Sequence, residues 1–150
     1  PSGRSIRLLV GLFCTESFDY RALTRGILRD RYGVEPWQVK RLNVAGKLDV
    51  TVEGQDQVSI PLKELDAAVR PGCRSCTDFS AVDADISAGA VGAPKGYTTL
   101  LVRTPVGKSF VDRAVSSGKL RIEPKVDLAA VEKLAREKAK RKNRRSPKKT

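Results

Sequence analysis

Histidine and methionine are absent from the sequence, and only three of its 150 residues are cysteine. With no imidazole and three thiols, the usual tetrahedral Cys and His zinc sites cannot close within the chain unless a carboxylate or another chain supplies a ligand. An odd number of cysteines argues against a closed disulfide framework and for a reducing compartment, the cytoplasm. No apolar run approaches the roughly 18 to 20 residues that cross a bilayer. The start has no signal-peptide pattern. There is no internal repeat, no Gly-x-Gly-x-x-Gly and no Walker-type phosphate loop. The chain opens at Pro1 with no initiator, which reads as the mark of a C-terminal piece of something longer.

Apolar residues make up 40% of the chain, within the globular range. The length suffices for one domain with a modest core. The formal charge of +12 is unevenly spread. Glu132 to Thr150 holds ten Lys or Arg against two Glu, a net of +8, which leaves +4 for the rest. Such a tail meets nucleic acid, an anionic membrane surface or an acidic partner, or simply stays solvated. It contains no Phe, Tyr or Trp, so base stacking is not supported there.

Ile6 to Phe13 (IRLLVGLF) is a near-continuous apolar run and predicts a strand buried on both faces. Gly11 permits close backbone approach. Cys14 falls just past the strand end, where open α/β sheets place ligands. Asp19 to Tyr32 predicts a helix N-capped by Asp19, with Leu23, Ile27 and Leu28 at helical spacing and Gly33 as its end. Val39 to Ile60 reads as an antiparallel meander, because Leu48, Val50 and Val52 alternate with Lys47, Asp49, Thr51 and Glu53.

Leu62 to Val69 follows as a short helix. Thr98 to Thr104 is β-rich, Pro105 and Gly107 turn the chain, and Ser109 to Ser117 is an amphipathic helix stopped by Gly118. Leu120 and Ile122 point to a last short strand. Asp127 caps a helix whose apolar face is Leu128, Val131 and Leu134, and beyond Ala139 that face disappears. The expected fold is α/β (α+β): a mixed sheet flanked by helices, with a small antiparallel meander and a Cys-rich cofactor loop. The expected division is a domain over 1–126, then a basic C-terminal helix and disordered tail over 127–150.

Arg70 to Gly96 (RPGCRSCTDFSAVDADISAGAVGAPKG) carries the densest chemistry. Cys73 and Cys76 form a Cys-x-x-Cys after a Pro-Gly turn, and this spacing holds two sulfurs close enough to share a metal or cluster. Three chemistries remain open on the residues alone: a metal or iron–sulfur site, a redox dithiol, or inert cysteines. Gly89, Gly92 and Gly96 are either a loop needing positive φ or a backbone approached by a flat or phosphorylated cofactor. Asp78, Asp83 and Asp85 read as turn caps and partners of Arg70, Arg74 or Lys95.

Three stretches together resemble a known family. GLFCTESFDYRAL, IPLKEL with RPGCRSCTDFSAVDADISAGAVGAP, and GYTTLLVRTPVG are similar to the C-terminal region of the coenzyme F420 hydrogenase/dehydrogenase beta subunit family. The likeness covers Ile6 to about Glu123 and leaves out the basic tail. The resemblance implies an iron–sulfur flavoprotein oxidoreductase that binds FAD and a 4Fe-4S cluster and exchanges electrons with coenzyme F420 as substrate. The mechanism that the resemblance implies would be hydride transfer from reduced deazaflavin to FAD, followed by release of single electrons to the cluster.

Carried onto this chain, the resemblance makes Cys14, Cys73 and Cys76 the cluster ligands, one thiolate short of four. It places flavin contacts at Ser87, Gly89, Gly92 and Thr98. Arg70, Arg74, Lys95 and Arg103 are cations that attract the acidic tail of the deazaflavin or the flavin phosphates, or a generic solvated surface. The implied partners are a preceding N-terminal region or other subunits of a hydrogenase or dehydrogenase-type complex, with the redox partner unidentified. The alternative is a metal-stapled binding module whose basic tail contacts nucleic acid or an acidic partner.

Overall fold

The structure, a computed structural model, describes residues 6–144, the side chains of 141–144 excepted. The chain divides into two compact units: Glu16–Ser75, and a second formed by 6–15 together with 76–144. Of the basic helix and disordered tail expected over 127–150, residues 145–150 lie outside the described residues.

The unit Glu16–Ser75 is built on the expected meander. Strands β2 (Val39–Val44), β3 (Lys47–Val52) and β4 (Val58–Pro61) form one antiparallel sheet in that order. Gly46, at φ +76, makes the tight turn between the first two. Leu48, Val50 and Val52 are buried, as their alternation requires. They pack with Ile27, Leu28, Val34, Ile60, Leu65 and Ala68 into one hydrophobic core.

The helix expected over 19–32 is present, but most of it is wound as a π-helix, Ala22–Arg29, which runs into a single α turn, α1 (Asp30–Tyr32). Asp19 caps it by accepting the Ala22 N–H at 2.9 Å. Within the wide turns the Thr24 hydroxyl donates to the Tyr20 carbonyl at 2.7 Å, entering the i→i−4 ladder. Gly33, at φ +66, ends the helix as expected. Leu62–Ala68 and Pro71–Arg74 are 3-10 turns.

The second unit holds a mixed sheet in the order β1 (Val10–Leu12), β5 (Ile86–Gly89), β6 (Thr99–Val102). β1 runs parallel to β5, pairing Val10 with Ile86 and Leu12 with Ala88. β5 is antiparallel to β6, pairing Ile86 with Val102. Gly11 allows the approach expected of it: a side chain there would overlap the Cβ of Ala81.

Four local expectations are corrected. The apolar run 6–13 yields a strand of three residues at the sheet edge, and Ile6 and Leu12 stay 83% and 70% exposed. An apolar pattern records surface that needs a cover, and among the described residues of this unit nothing covers that side of β1. Strand β5 emerges from what reads as a glycine-rich loop, because Ile86-Ser87-Ala88-Gly89 has small side chains that let it lie centrally. Helix α2 (Pro105–Ser116) begins four residues before the expected start. Pro105 is tolerated in the first turn, and the Thr104 hydroxyl caps it by accepting the Gly107 N–H at 3.1 Å. Leu120 and Ile122 form no strand, and Ile122 is exposed.

Helix α3 (Leu128–Arg144) closes the unit. Asp127 caps it as expected, its carboxylate accepting the Ala130 N–H at 3.1 Å. The inward stripe is Val131, Leu134, Ala135 and Lys138, at steps of three and four. Among the described residues no helix is long and apolar enough to cross a membrane.

Candidate metal and cofactor site

All three cysteines are free. In Glu16–Ser75, Cys73 sits on the turn Pro71–Arg74 and faces the segment 17–19. That segment is held against 68–70 by Arg70 N–H to Ser17 O at 2.9 Å and Asp19 N–H to Ala68 O at 2.7 Å. The Cys73 Sγ accepts the Ser17 N–H at 3.2 Å, and its thiol faces the Ser17 carbonyl at 3.7 Å. A backbone N–H aimed at a sulfur is the contact that iron-bound thiolates use to offset their charge.

In the other unit, Cys14 and Cys76 are brought to one loop. Cys14 leaves the end of β1, and its N–H donates to the Phe79 carbonyl at 2.8 Å. The Cys76 thiol is exposed and faces the Asp78 carbonyl at 3.6 Å. The Asp78 carboxylate accepts the Ser80 N–H at 3.0 Å and the Val82 N–H, capping the turn as the sequence leads one to expect. The rings of Phe13 and Phe79 meet at 5.3 Å between centroids and pin the same junction from its apolar side.

A residue the sequence reading passed over completes this frame. Lys138, counted there with the solvated tail, is 3% exposed. Its ammonium donates to the Cys14 carbonyl and to the Asp78 carbonyl, both at 2.7 Å. The signal was present: Lys138 continues the stripe of Val131, Leu134 and Ala135 by one more turn, so its stem is buried with them.

The four positions expected to touch a flavin have different surroundings. Ser87 is fully buried; its hydroxyl donates to the Ala81 carbonyl at 3.1 Å and accepts Arg103 Nε at 3.1 Å. The space beside Gly89 is filled by the Phe13 ring. Gly92, at φ +84, is approached by the Asp127 carbonyl, which a Cβ there would meet at 2.6 Å. Gly92 also lines a groove of about 650 Å³ with Pro94, Pro124 and Lys125. Thr98 is exposed and lines a cleft of about 550 Å³ walled by Leu100, Val111, Leu120 and Ile122. Gly107 too has a plain structural reason: a Cβ there would meet the Asp85 carbonyl at 2.5 Å.

The expected cations divide too. Arg103 is occupied within its own unit, donating to the Ser80 carbonyl and hydroxyl as well as to Ser87. Arg74 donates to the Asp66 carbonyl at 3.3 Å. Arg70 and Lys95 are exposed. Asp85 is held below the ordinary carboxylate range, first by the Thr104 hydroxyl and then by the Leu9 N–H. It ties β1 to the start of α2 and stands as a structural acid.

Among the described residues no group of three or more Cys, Asp or Glu is gathered as a ready metal site. The donor type nonetheless fits a thiolate-ligated cluster: three free thiols, one already accepting an amide. Three thiols are one short of the four thiolates that are usual for such a cluster. For a flavin the cleft at Thr98 and the groove at Gly92 offer space, whereas Ser87 is buried and the side-chain space of the half-buried Gly89 is taken by Phe13.

Comparison with known proteins gives consistent results. A family model for the C terminus of the coenzyme F420 hydrogenase/dehydrogenase beta chain matches residues 1–128. An uncharacterized protein of Methanocaldococcus jannaschii is 42% identical over 94% of this chain and 39% of its own length. The coenzyme F420 hydrogenase subunit beta of Methanosarcina barkeri is 36% identical over 89% of this chain and 47% of its own. A chain in a xenon-derivatised structure of the F420-reducing NiFe hydrogenase complex from Methanosarcina barkeri superimposes with a TM-score of 0.78 at 35% identity, covering 91% of this chain and 48% of that one. The chain thus spans about half the length of the curated relatives it matches.

Proposed function

The chain belongs to the family of the coenzyme F420 hydrogenase/dehydrogenase beta subunit, in its C-terminal region, and from that premise we propose that it forms part of an F420-linked oxidoreductase. The relatives named as an F420 hydrogenase beta subunit and as an F420-dependent sulfite reductase support redox work with this coenzyme. Within that reading, Cys14, Cys73 and Cys76 supply thiolates to a 4Fe-4S cluster. The observation that carries it is the frame under two of them. Cys14 and the Cys76–Phe79 loop are joined by a backbone hydrogen bond and a buried lysine, with both thiols left free.

When bound, such a cluster supplies one-electron transfer. The chain's own residues fix and tune its ligands. The Ser17 N–H offsets charge on the Cys73 sulfur. The Phe13–Phe79 pair excludes water from one side of the Cys14 junction. The FAD implied by the family meets this chain at the Thr98 cleft, whose volume lies in the range of small-ligand sites. Ser87 and Gly89 act there only through the sheet that carries them. Exposed Arg70 and Lys95 are the cations left to attract an acidic coenzyme. Free thiols of this kind persist in a reducing compartment, which supports a cytoplasmic location. The remaining ligand and the electron partner belong to the part of the assembly that this chain does not span.

The test is anaerobic reconstitution of the full chain with iron, sulfide and a small thiol as fourth ligand. The expected product is brown with about four irons per chain. Each of Cys14→Ala, Cys73→Ala and Cys76→Ala lowers the iron content. A colourless, zinc-loaded product, or unaltered iron in all three variants, overturns the cluster reading.

A further inference from the structure

Burying an ammonium is costly unless its charge is balanced, and lysine is almost never fully buried without a partner. Lys138 is 3% exposed, yet none of the ion pairs among the described residues includes it. Both of its bonds go to neutral backbone carbonyls, those of Cys14 and Asp78. Two of its three N–H groups thereby have acceptors, but the positive charge is not neutralised by an ion pair among the described residues.

The location of that charge is specific. The Asp78 carbonyl it holds also faces the Cys76 thiol at 3.6 Å. The other carbonyl belongs to Cys14 itself. Lys138 therefore joins two cysteine-bearing segments 62 residues apart in sequence, Cys14 and Cys76. It does so from a helix of which all but the first residue lies beyond the family match, which ends at residue 128.

We propose that Lys138 is a positioning residue of the thiol site. It clamps Cys14 to the Cys76–Phe79 loop, and its unbalanced charge complements the anionic group that the two thiolates hold. This rests on the cluster reading above for the identity of that group. It does not rest on it for the clamp, which the iron-free chain already has. The charge favours the more negative, reduced state of a bound cluster, so it raises the midpoint potential.

Three variants of the full chain separate clamp from charge. Lys138→Met removes both. Lys138→Gln keeps a donor for the carbonyls and removes only the charge. Lys138→Arg keeps the charge. In the iron-free chain, amide exchange at Cys14, whose N–H bonds to the Phe79 carbonyl, is expected to rise about tenfold in Lys138→Met through easier local opening. In the reconstituted chain, titration with dithionite adds one electron to the cluster. Its midpoint potential is expected to move negative in Lys138→Gln and to return toward wild type in Lys138→Arg, a rescue that loss of packing would not produce.

Wild-type exchange at Cys14 in the Met variant overturns the clamp, and a wild-type potential in the Gln variant overturns the charge. Should Lys138→Met fail to fold, the Gln and Arg potentials decide. Should wild type take up no iron, the cluster reading fails, and exchange in the Met variant alone decides on Lys138.

Discussion

The ring of Phe13 fills the space that any side chain at position 89 would need. Gly89 is thus explained by this chain's own packing, where the sequence alone leaves room for a flat cofactor. Gly89→Ala should displace Phe13, and with it the Phe13–Phe79 contact beside Cys14. Overpacking of this kind costs about 1 to 3 kcal/mol. Urea unfolding of the chain checks it. A variant with wild-type stability but poorer flavin retention would return Gly89 to the cofactor.

Asp85 links elements by bonding to Thr104 and Leu9, and both hold its acidity below the ordinary carboxylate value. A depressed folded value stabilises the fold above the unfolded value near ~4. That contribution is lost as pH falls through the folded value. Asp85→Asn should therefore be less stable at neutral pH, and it should lose less stability than wild type on going from about pH 4 to pH 2. Unfolding midpoints measured across that window test the sign. Parallel acid branches for the two proteins would remove Asp85 from the account.

The resemblance makes Arg103 either a cation that attracts an acidic coenzyme or part of a generic solvated surface. Its guanidinium instead joins Ser80 at the cysteine loop to Ser87 in the central strand. Arg103→Ala leaves the Ser80 carbonyl and the buried Ser87 hydroxyl short of a donor, a loss of about 1 to 3 kcal/mol. Arg103→Lys should recover little, because one ammonium cannot reproduce a fork that reaches two residues. Thermal unfolding of both variants checks this. An unchanged midpoint with weakened coenzyme binding would restore the electrostatic role.

How far the sequence could be read depended on the kind of signal. Leu48, Val50 and Val52 alternate strictly, so the meander and its buried face were legible. Asp19, Gly33 and Asp127 are local signals at helix ends, and each acts where its chemistry places it. Strand β5 was not legible, because Ile86-Ser87-Ala88-Gly89 gains its strand character from pairing with β1 and β6 and from Phe13 packing on a glycine. Pro105 read as a turn because the cap on Thr104 carries less weight in a sequence than a proline does. Lys138 was hidden by composition: ten cations in nineteen residues look solvated, and only the helical step from Val131 marks one as inward. Cys73 and Cys76 stand out in the sequence as a Cys-x-x-Cys and Cys14 joins them as a ligand through the family resemblance, whereas the frame that joins Cys14 to Cys76 depends on contacts remote in sequence.

The edge strand β1 gives a final prediction, and it turns on exposure rather than hydrophobicity. Leu12 is as apolar as Leu48, but it is 70% exposed at the sheet edge while Leu48 is 2% exposed in the other unit's core. Burial sets the cost of a charge, so the same change must act very differently at the two sites. Leu48→Lys should unfold Glu16–Ser75, since a buried unpaired charge exceeds what a small core can offset. Leu12→Lys should leave the unfolding free energy within about 0.5 kcal/mol of wild type. It should also suppress concentration-dependent association, because a charged side chain on an open edge blocks strand pairing between molecules. Light scattering against concentration, alongside urea unfolding, reads both effects. A Leu12→Lys chain that unfolds would mean that this face of β1 is covered, and that the apolar run 6–13 is a core strand after all.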